Sequence, residues 1–212
     1  MHTPCSISGQ LIKSASIASV LILLLCAMPD FAVGRNMELP PKQLTYFDDA
    51  YYLPDRFEGD SIVLKLQMQI SYYPAPPEVR LRYFGKNDSH LFYTQFEKQQ
   101  CVYRCYVDFP VELDTINRLI RVKEISFKQS FISRIENQCT ALGEHKHKAF
   151  PAKLVVRSCH LDSVFWFNQQ FDDSIYFEQV VSRNCLISGC VFNAPIRLED
   201  VNSYHILLPK ST

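Results

Sequence analysis

Cysteines are the residues of this chain whose chemistry depends most on their spacing. An even number of cysteines in an exported chain favours disulfides. Six candidates follow an apolar N-terminal segment: Cys101, Cys105, Cys139, Cys159, Cys185 and Cys190. Zinc ligation is the alternative, but the spacings Cys-x3-Cys and Cys-x4-Cys lack the paired Cys-x2-Cys knuckles of structural zinc sites. We therefore predict disulfides among these six residues and leave their connectivity open.

Geometry restricts that connectivity. Residues 100–109 alternate as a strand, which places Cys101 and Cys105 on one face about 13 Å apart at ~3.3 Å per residue. A disulfide needs Cα atoms within ~7 Å, so these two cysteines should have different partners. Cys185 and Cys190 are expected to point outward.

Carboxylates and histidines offer the other possible chemistry. One hypothesis is a secreted hydrolase, with carbohydrate as a candidate substrate, that uses Asp48, Asp49, Asp172 and His160. The segment 144–147, Glu-His-Lys-His, holds the only close pair of histidines, but the sequence places no third or fourth metal ligand. The chain also lacks Gly-x-Ser-x-Gly, His-Glu-x-x-His, Gly-x-Gly-x-x-Gly and P-loop motifs. The sequence thus predicts no catalytic residue, no metal site and no cofactor.

The element that would position these side chains is a repeat of five residues. An unbroken set of apolar residues recurs at this spacing: Val156, Leu161, Trp166, Phe171, Tyr176, Val181, Leu186, Val191, Ile196, Val201 and Ile206. A period of five fits neither an α-helix nor a flat strand. It fits a coil with four five-residue sides, in which one side chain per side points inward. The residue two positions earlier should also face inward and should often be small, as at Cys159, Val164, Ser174, Gly189 and Ala194.

The best-matching units are residues 159–163, 174–178, 189–193 and 194–198. With them, residues 154–206 resemble the pentapeptide-repeat family, and this resemblance implies a right-handed quadrilateral β-helix. Residues 120–132 repeat the pattern through Val122, Phe127 and Ile132. Residues 136–151 interrupt it and are interpreted as an inserted loop. The alternative is a set of ordinary half-buried strands that pass through this register by chance.

The preceding residues divide into three regions. Residues 1–34 read as a secretory signal peptide, with Lys13, an apolar run and small residues before a predicted cleavage after Gly34. A retained signal anchor is the alternative. Residues 35–60 are predicted to be an extended arm, because Pro40, Pro41 and Pro54 oppose regular structure. Residues 61–118 form the third region.

Within residues 61–118 we expect strands at 61–70, 79–83, 91–96 and 100–109, joined by turns into an antiparallel sheet with one wet face. Asn87 opens a glycosylation sequon in one of these turns. Residues 110–117 could hold one helical turn. The chain is therefore predicted to be mainly β: an antiparallel sheet followed by a β-helix-like repeat over residues 119–208.

The charge balance limits the possible partners. The formal net charge is zero, which argues against a nucleic-acid partner, and no Lys/Arg run marks an anionic membrane surface. After cleavage of the signal peptide no membrane span is expected. We therefore predict a secreted or periplasmic, non-enzymatic interaction or scaffold module. Its sheet and repeat surfaces would bind a protein or a glycan.

Overall fold

The computed structural model describes residues 38–47, 49–119, 123–137 and 148–207, with the side chains of residue 148 and residues 204–207 left aside. Residues from Leu39 onward form one unit. Its strands are β1 Thr45–Phe47, β2 Ala50–Glu58, β3 Ser61–Gln69, β4 Glu78–Phe84, β5 Cys101–Tyr103, β6 Cys105–Glu112, β7 Glu124–Lys128, β8 Phe131–Glu136, β9 Lys148–Phe150, β10 Lys153–Arg157, β11 His160–Phe167, β12 Gln169–Phe171, β13 Ile175–Glu178, β14 Val181–Ser188, β15 Val191–Phe192, β16 Ile196–Glu199 and β17 Asn202–Leu207. The helices are α1 Ser89–Gln99 and α2 Leu113–Leu119. The mainly β class is confirmed.

The strands form three sheets. Sheet A has the order β1-β2-β3-β4-β6-β8-β11-β14-β17, sheet B the order β16-β13-β10-β7-β5 and sheet C the order β15-β12-β9. Strands β1 to β4 pair in antiparallel fashion, and of the antiparallel sheet predicted over residues 61–118 only the pairing of β3 with β4 is present. β4 pairs with β6 in parallel register, and the pairings of all later strands are parallel as well. The antiparallel region therefore continues directly into sheet A.

Two predicted elements of this region are wrong. Residues 91–96 were expected to form a strand but lie in α1, where Phe92 and Phe96 are both buried. Their spacing of four residues places both rings on one face of a helix. Residues 100–109 do not form one strand either, because Arg104 has a φ of 51° and separates β5 in sheet B from β6 in sheet A. The strand argument that placed Cys101 and Cys105 on one face therefore fails, whereas α2 lies where a helical turn was expected.

The predicted extended arm is also wrong, because β1 and β2 belong to sheet A. Pro54 lies inside β2, next to a shift in the register between β2 and β3. A proline is tolerated at such an irregularity because its missing N–H leaves no ladder hydrogen bond unmade. Phe47 and Tyr52 pack with Ile62 in a second apolar core, separate from the main one. The aromatic residues of this segment therefore hold it against the sheet.

The chain passes through sheets B, A and C in a fixed order, and we call one such passage a circuit. Val181 pairs with His160, Ile175 with Leu154, and Val191 with Gln170. All three pairs have the same sequence separation, 21, which also separates the hydrogen-bonded side chains of Ser158 and Gln179.

The preceding circuit is longer. β10 pairs with β7 at a sequence separation of 29, as in the ion pair of Lys153 with Glu124, and β11 pairs with β8 at the same separation. The extra length falls between β8 and β9, where the inserted loop was predicted. The loop itself, residues 138–147, lies outside the described residues.

The most deeply buried positions within a circuit are spaced alternately by two and three residues. In the circuit from β10 to β12 they are Leu154, Val156, Cys159, Leu161, Val164, Trp166, Gln169 and Phe171, each 1 % exposed or less. The residues of the predicted five-residue phase are therefore buried up to Phe171, as are the positions two residues before each of them. Phe127, Ile132, Ile125 and Ser130 follow the same pattern one circuit before. Ile120 and Val122 lie outside the described residues.

After Phe171 the predicted phase is wrong by one residue. The next buried position is Ile175, four residues on, so the circuit is one residue longer than four five-residue sides. The inward positions of this circuit are Ile175, Phe177, Val180, Ser182, Cys185, Ile187, Cys190 and Phe192, which follow from the pairing with the preceding circuit. Tyr176, Leu186 and Val191 therefore alternate with the inward set. Val181 is buried on the opposite face of sheet A, beside His160.

A second one-residue shift returns Ile196 to an inward position, but at the place equivalent to Leu154, two residues before the place of Val156 that the prediction gave it. Ile196 pairs with Ile175 and so belongs to the inward set, and Ile206 pairs with Cys185. The side chain of Ile206 lies outside the described part. Residues with positive φ recur at the same step between sheets B and A: Gln129, Ser158, Gln179 and Asp200. These left-handed residues turn the chain from one sheet into the next.

Candidate binding surface at β15, β16 and β17

The beginning of the parallel sheets is closed by α1. Phe92 and Phe96 of this helix are 2 % and 1 % exposed and belong to the main core. The ring of Phe92 contacts Phe109 at 5.4 Å between centroids, and that of Phe96 contacts Phe127 at 5.8 Å. These contacts cover the inner side of the first circuit with apolar rings. Terminal caps of this kind are common where structural repeats would otherwise expose their core.

The other end of the sheets has no such cover among the described residues. β15, β16 and β17 come last in the chain in their sheets, and each is also an edge strand. Ile196 and Leu198 of β16 are 41 % and 59 % exposed. Their partners in β13, Ile175 and Phe177, are 1 % and 6 % exposed. The last circuit therefore exposes side chains of a type that earlier circuits bury.

A cavity of about 420 Å³ opens at this end. It exists because the inward position of Leu161 is taken by Ser182 in the next circuit and by Ser203 in the last. Each serine leaves space that a leucine side chain fills in the circuit of β11. None of the lining residues is charged: Leu161, Val164, Trp166, Phe177, Val180, Ser182, Cys185, Ile187, Phe192, Ile196, Leu198, Val201 and Ser203. Such a cavity suits an apolar side chain or ligand.

Trp166 supplies an unused hydrogen-bond donor in the wall of this cavity. The residue is 1 % exposed, and its ring packs on Phe171 and Phe177 with centroid distances of 4.8 Å and 6.0 Å. Its indole Nε1 has no hydrogen-bond partner among the described residues. Buried indole N–H groups usually have an acceptor. The end of the sheets thus combines apolar walls, an unsatisfied donor and three unpaired strand edges.

Charged side chains alternate with the apolar ones on β16. Arg197 and Glu199 are exposed on the opposite face of the strand from Ile196 and Leu198. The Tyr176 hydroxyl donates a hydrogen bond of 2.9 Å to Glu199, which fixes one side of this carboxylate. No described group forms a salt bridge with Arg197.

The outer face of sheet B carries a second concavity, which is polar. It has a volume of about 570 Å³ and is lined by residues of β7, β10 and β13, together with Arg197. Two of its cations are already paired: Lys153 with Glu124 at 3.0 Å, and Arg157 with Glu178 at 2.7 Å. Paired surface charges of this kind contribute little to binding. This face therefore reads as a solvated surface.

The five described cysteines are all free thiols. Burial raises the pKa of Cys105 to about 11, of Cys159 to about 12 and of Cys185 to about 11, so these thiols stay protonated and poorly nucleophilic at neutral pH. Cys185 and Cys190 occupy inward positions, which corrects the expectation that they point outward. Cys139 lies outside the described residues. The predicted disulfides are thus not present among the described cysteines.

The residues of the hydrolase hypothesis are not brought into a catalytic arrangement in the described part of the chain. His160 is 4 % exposed, and its Nδ1 accepts a hydrogen bond of 3.1 Å from the backbone N–H of Tyr46. It was expected to lie on the outside, but β1 covers it. Asp49 accepts a hydrogen bond from the Tyr46 hydroxyl. Asp172 accepts hydrogen bonds from Gln170 and Asn193 instead.

The remaining predicted sites can be placed more briefly. Asn87 is exposed in a short 3-10 turn, as a glycosylation sequon requires. Asp48 and residues 144–147 lie outside the described residues. Among the residues that are described, no cluster of three or more His, Cys, Asp or Glu side chains could hold a metal ion. None of the described helices has the length and apolar character needed to cross a membrane.

The uncovered end formed by β15, β16 and β17 was not predicted from the sequence, although two signals for it are visible there. Ser182 and Ser203 interrupt a series of apolar inward residues one circuit apart, and Ile196 and Leu198 alternate with charged residues near the last circuit. Both signals can be recognised only when the circuit length of 21 residues is known. Comparisons with protein-family models, with curated proteins and with solved structures gave no match.

Proposed function

We propose that this protein is a non-enzymatic interaction module whose binding surface is the end formed by β15, β16 and β17. The observation that carries the proposal is the difference between the two ends of the parallel sheets. α1 buries Phe92 and Phe96 over one end, whereas Leu198 at the other end is 59 % exposed above an apolar cavity. An exposed apolar patch framed by polar residues is typical of a protein-binding site.

The proposal includes a β-helix as the scaffold. Three parallel sheets visited in a constant order, with a constant sequence separation between paired strands of the later circuits, are what a coiled chain of stacked circuits would give. Parallel crossover connections are right-handed in nearly all proteins, so the coil is inferred to be right-handed. Asp162 is skipped in the pairing of β11 with β14, and the buried residues Leu161 and Val164 on either side of it are three residues apart, which supports a corner within β11 and four sides per circuit. This arrangement is consistent with the resemblance to the pentapeptide-repeat family.

The expected mode of binding is strand addition. An edge strand presents unpaired backbone N–H and C=O groups, and an extended partner segment can pair with them while its side chains fill neighbouring pockets. At this surface the pocket is the cavity beside Leu198. The inferred partner is a protein, since backbone pairing and an uncharged cavity suit a peptide chain better than a glycan. Export to an extracellular or periplasmic compartment belongs to the same proposal.

Site-specific photo-crosslinking in the natural host tests this function. A photoreactive amino acid in place of Leu198 should form a covalent adduct with a protein partner on irradiation. The matched control carries the same amino acid in place of Met68, which is 53 % exposed on β3 and far along sheet A from β17. Equal labelling at both positions, or no adduct at position 198, would refute a binding surface at this end.

A further inference from the structure

We propose that the partner at this end is a second copy of the same chain, bound through antiparallel pairing of β16 with β16 across a two-fold axis. This inference rests on the proposed function and names its partner. Three features of the surface support it: the apolar core at the other end is covered by α1, whereas no described residue covers it here; the last strand of each of the three sheets is an edge strand at this end; and the charges of β16 are complementary to themselves.

The closed first end determines the symmetry. Head-to-tail stacking would require the end at β17 to meet the beginning of the parallel sheets. There sheet A continues into β4, which pairs with β6, and α1 covers the apolar core, although β5 and β9 are the edge strands of sheets B and C. The two ends therefore do not match, and the inferred contact joins equivalent ends, which is an isologous contact with two-fold symmetry. Such a contact closes on itself and produces a dimer instead of a fibre.

The charges of β16 select one register. A two-fold axis perpendicular to the direction of stacking makes the two β16 strands antiparallel. Side chains on the same face must be opposite one another, so only registers that keep the two faces apart are allowed. With Leu198 opposite Leu198 of the second copy, Arg197 lies opposite Glu199 of the second copy, and the same pair forms again on the other side of the axis. The neighbouring allowed register would place Arg197 opposite its own equivalent, and like charges in that position are destabilising.

The apolar side chains of the end gain cover in the same arrangement. Ile196 and Leu198 of each copy would face the cavity mouth of the other, where the serines at 182 and 203 leave room. β15 and β17 lie on either side of β16 in the chain, each only a short connection away. A two-fold axis through β16 therefore brings β15 of one copy towards β17 of the other. All three edges are then covered by one contact.

Charge reversal on β16 tests the dimer. Sedimentation of the purified protein should show a dimer, and Arg197→Glu or Glu199→Arg alone should weaken it at least about tenfold, because each creates two like-charge pairs. The double variant R197E/E199R exchanges the partners of both pairs and should restore the wild-type dissociation constant. Arg80→Glu, on the antiparallel part of sheet A, is the matched control and should have no effect. Urea midpoints of all variants show whether each one folds.

The outcomes separate this inference from the function on which it rests. A wild-type protein that stays monomeric at about 100 μM, or a double variant no better than the single ones, would refute pairing with a second copy. In that event an adduct between position 198 and a different protein would still support the interaction surface. The wild-type dimer should also weaken as salt is raised, since ion pairs at an exposed edge are screened. A dimer insensitive to both salt and charge reversal would place the contact elsewhere.

Discussion

Lowering the pH from 7 to 5 should destabilise the folded protein through one buried histidine. His160, at the start of β11, is 4 % exposed beneath β1, and its ring packs against Phe131 at 5.4 Å. Its Nδ1 accepts the backbone hydrogen bond of Tyr46, and its Nε2 has no partner among the described residues. Protonation would turn Nδ1 from an acceptor into a donor and place a charge in an apolar site. The neutral ring is therefore the form that the fold requires.

The sign and size of the effect follow from the pKa. Burial, with a smaller contribution from the positive charge of Arg183, lowers the pKa of His160 from 6.5 to about 4. Between these two values the unfolded chain binds a proton that the folded chain does not, so stability falls as the pH falls. At pH 5 the expected loss relative to pH 7 is about 2 kcal/mol. The full loss is reached only below the folded pKa.

Urea unfolding at pH 7 and pH 5 measures this loss as a change in the free energy of unfolding. His160→Gln keeps a side-chain acceptor for the Tyr46 N–H but cannot be protonated, so the variant should lose about 2 kcal/mol less than the wild type over the same interval. His90→Gln changes an exposed histidine on α1 and is the control. If the wild type and the His160→Gln variant show the same dependence on pH, the buried neutral histidine is not the cause.

Two further measurements test the packing and the thiols. Phe177→Ala should lower the free energy of unfolding by about 3–5 kcal/mol through lost burial and a cavity. Tyr176→Ala removes an outward ring and should lower it by about 1 kcal/mol or less. If urea unfolding shows the larger loss for Tyr176→Ala, Tyr176 is the inward residue, as the five-residue series predicted. A thiol reagent should label Cys105 and Cys159 slowly in the folded protein, because both are buried and protonated, and rapidly in urea without a reductant. Failure to label them in urea would show that they form disulfides, as the sequence alone predicted.

The sequence by itself was sufficient for the parts of the fold that depend on local pattern. Alternation of apolar and polar residues predicted β3 and β4, and the five-residue spacing predicted the inward positions of Val156, Leu161, Trp166 and Phe171. Each of these signals is carried by residues close together in the chain. Fold class and the approximate place of the inserted loop followed from the same patterns.

Other positions could not be predicted from the pattern, because an apolar residue can be buried inside the circuit or can pack on the outer face of a sheet. Val181 continues the five-residue series, yet it is buried beside His160 on the outer face of sheet A and not inside the circuit. Tyr176 also continues the series, although its ring lies outside and its hydroxyl binds Glu199. The apolar character of a residue does not determine the face of the sheet on which its side chain lies. For the same reason the short apolar run at 91–96 fits a strand as well as a helix.

The open end was decided by tertiary structure alone. Ile196 and Leu198 are no more apolar than Ile175 and Phe177, and they differ only in that no later described strand packs beyond them. The cavity likewise depends on Ser182 and Ser203 stacking on Leu161, with each residue one circuit away from the next. A contact between successive circuits is set by the length of the circuit, and one additional residue after Phe171 changes every contact that follows.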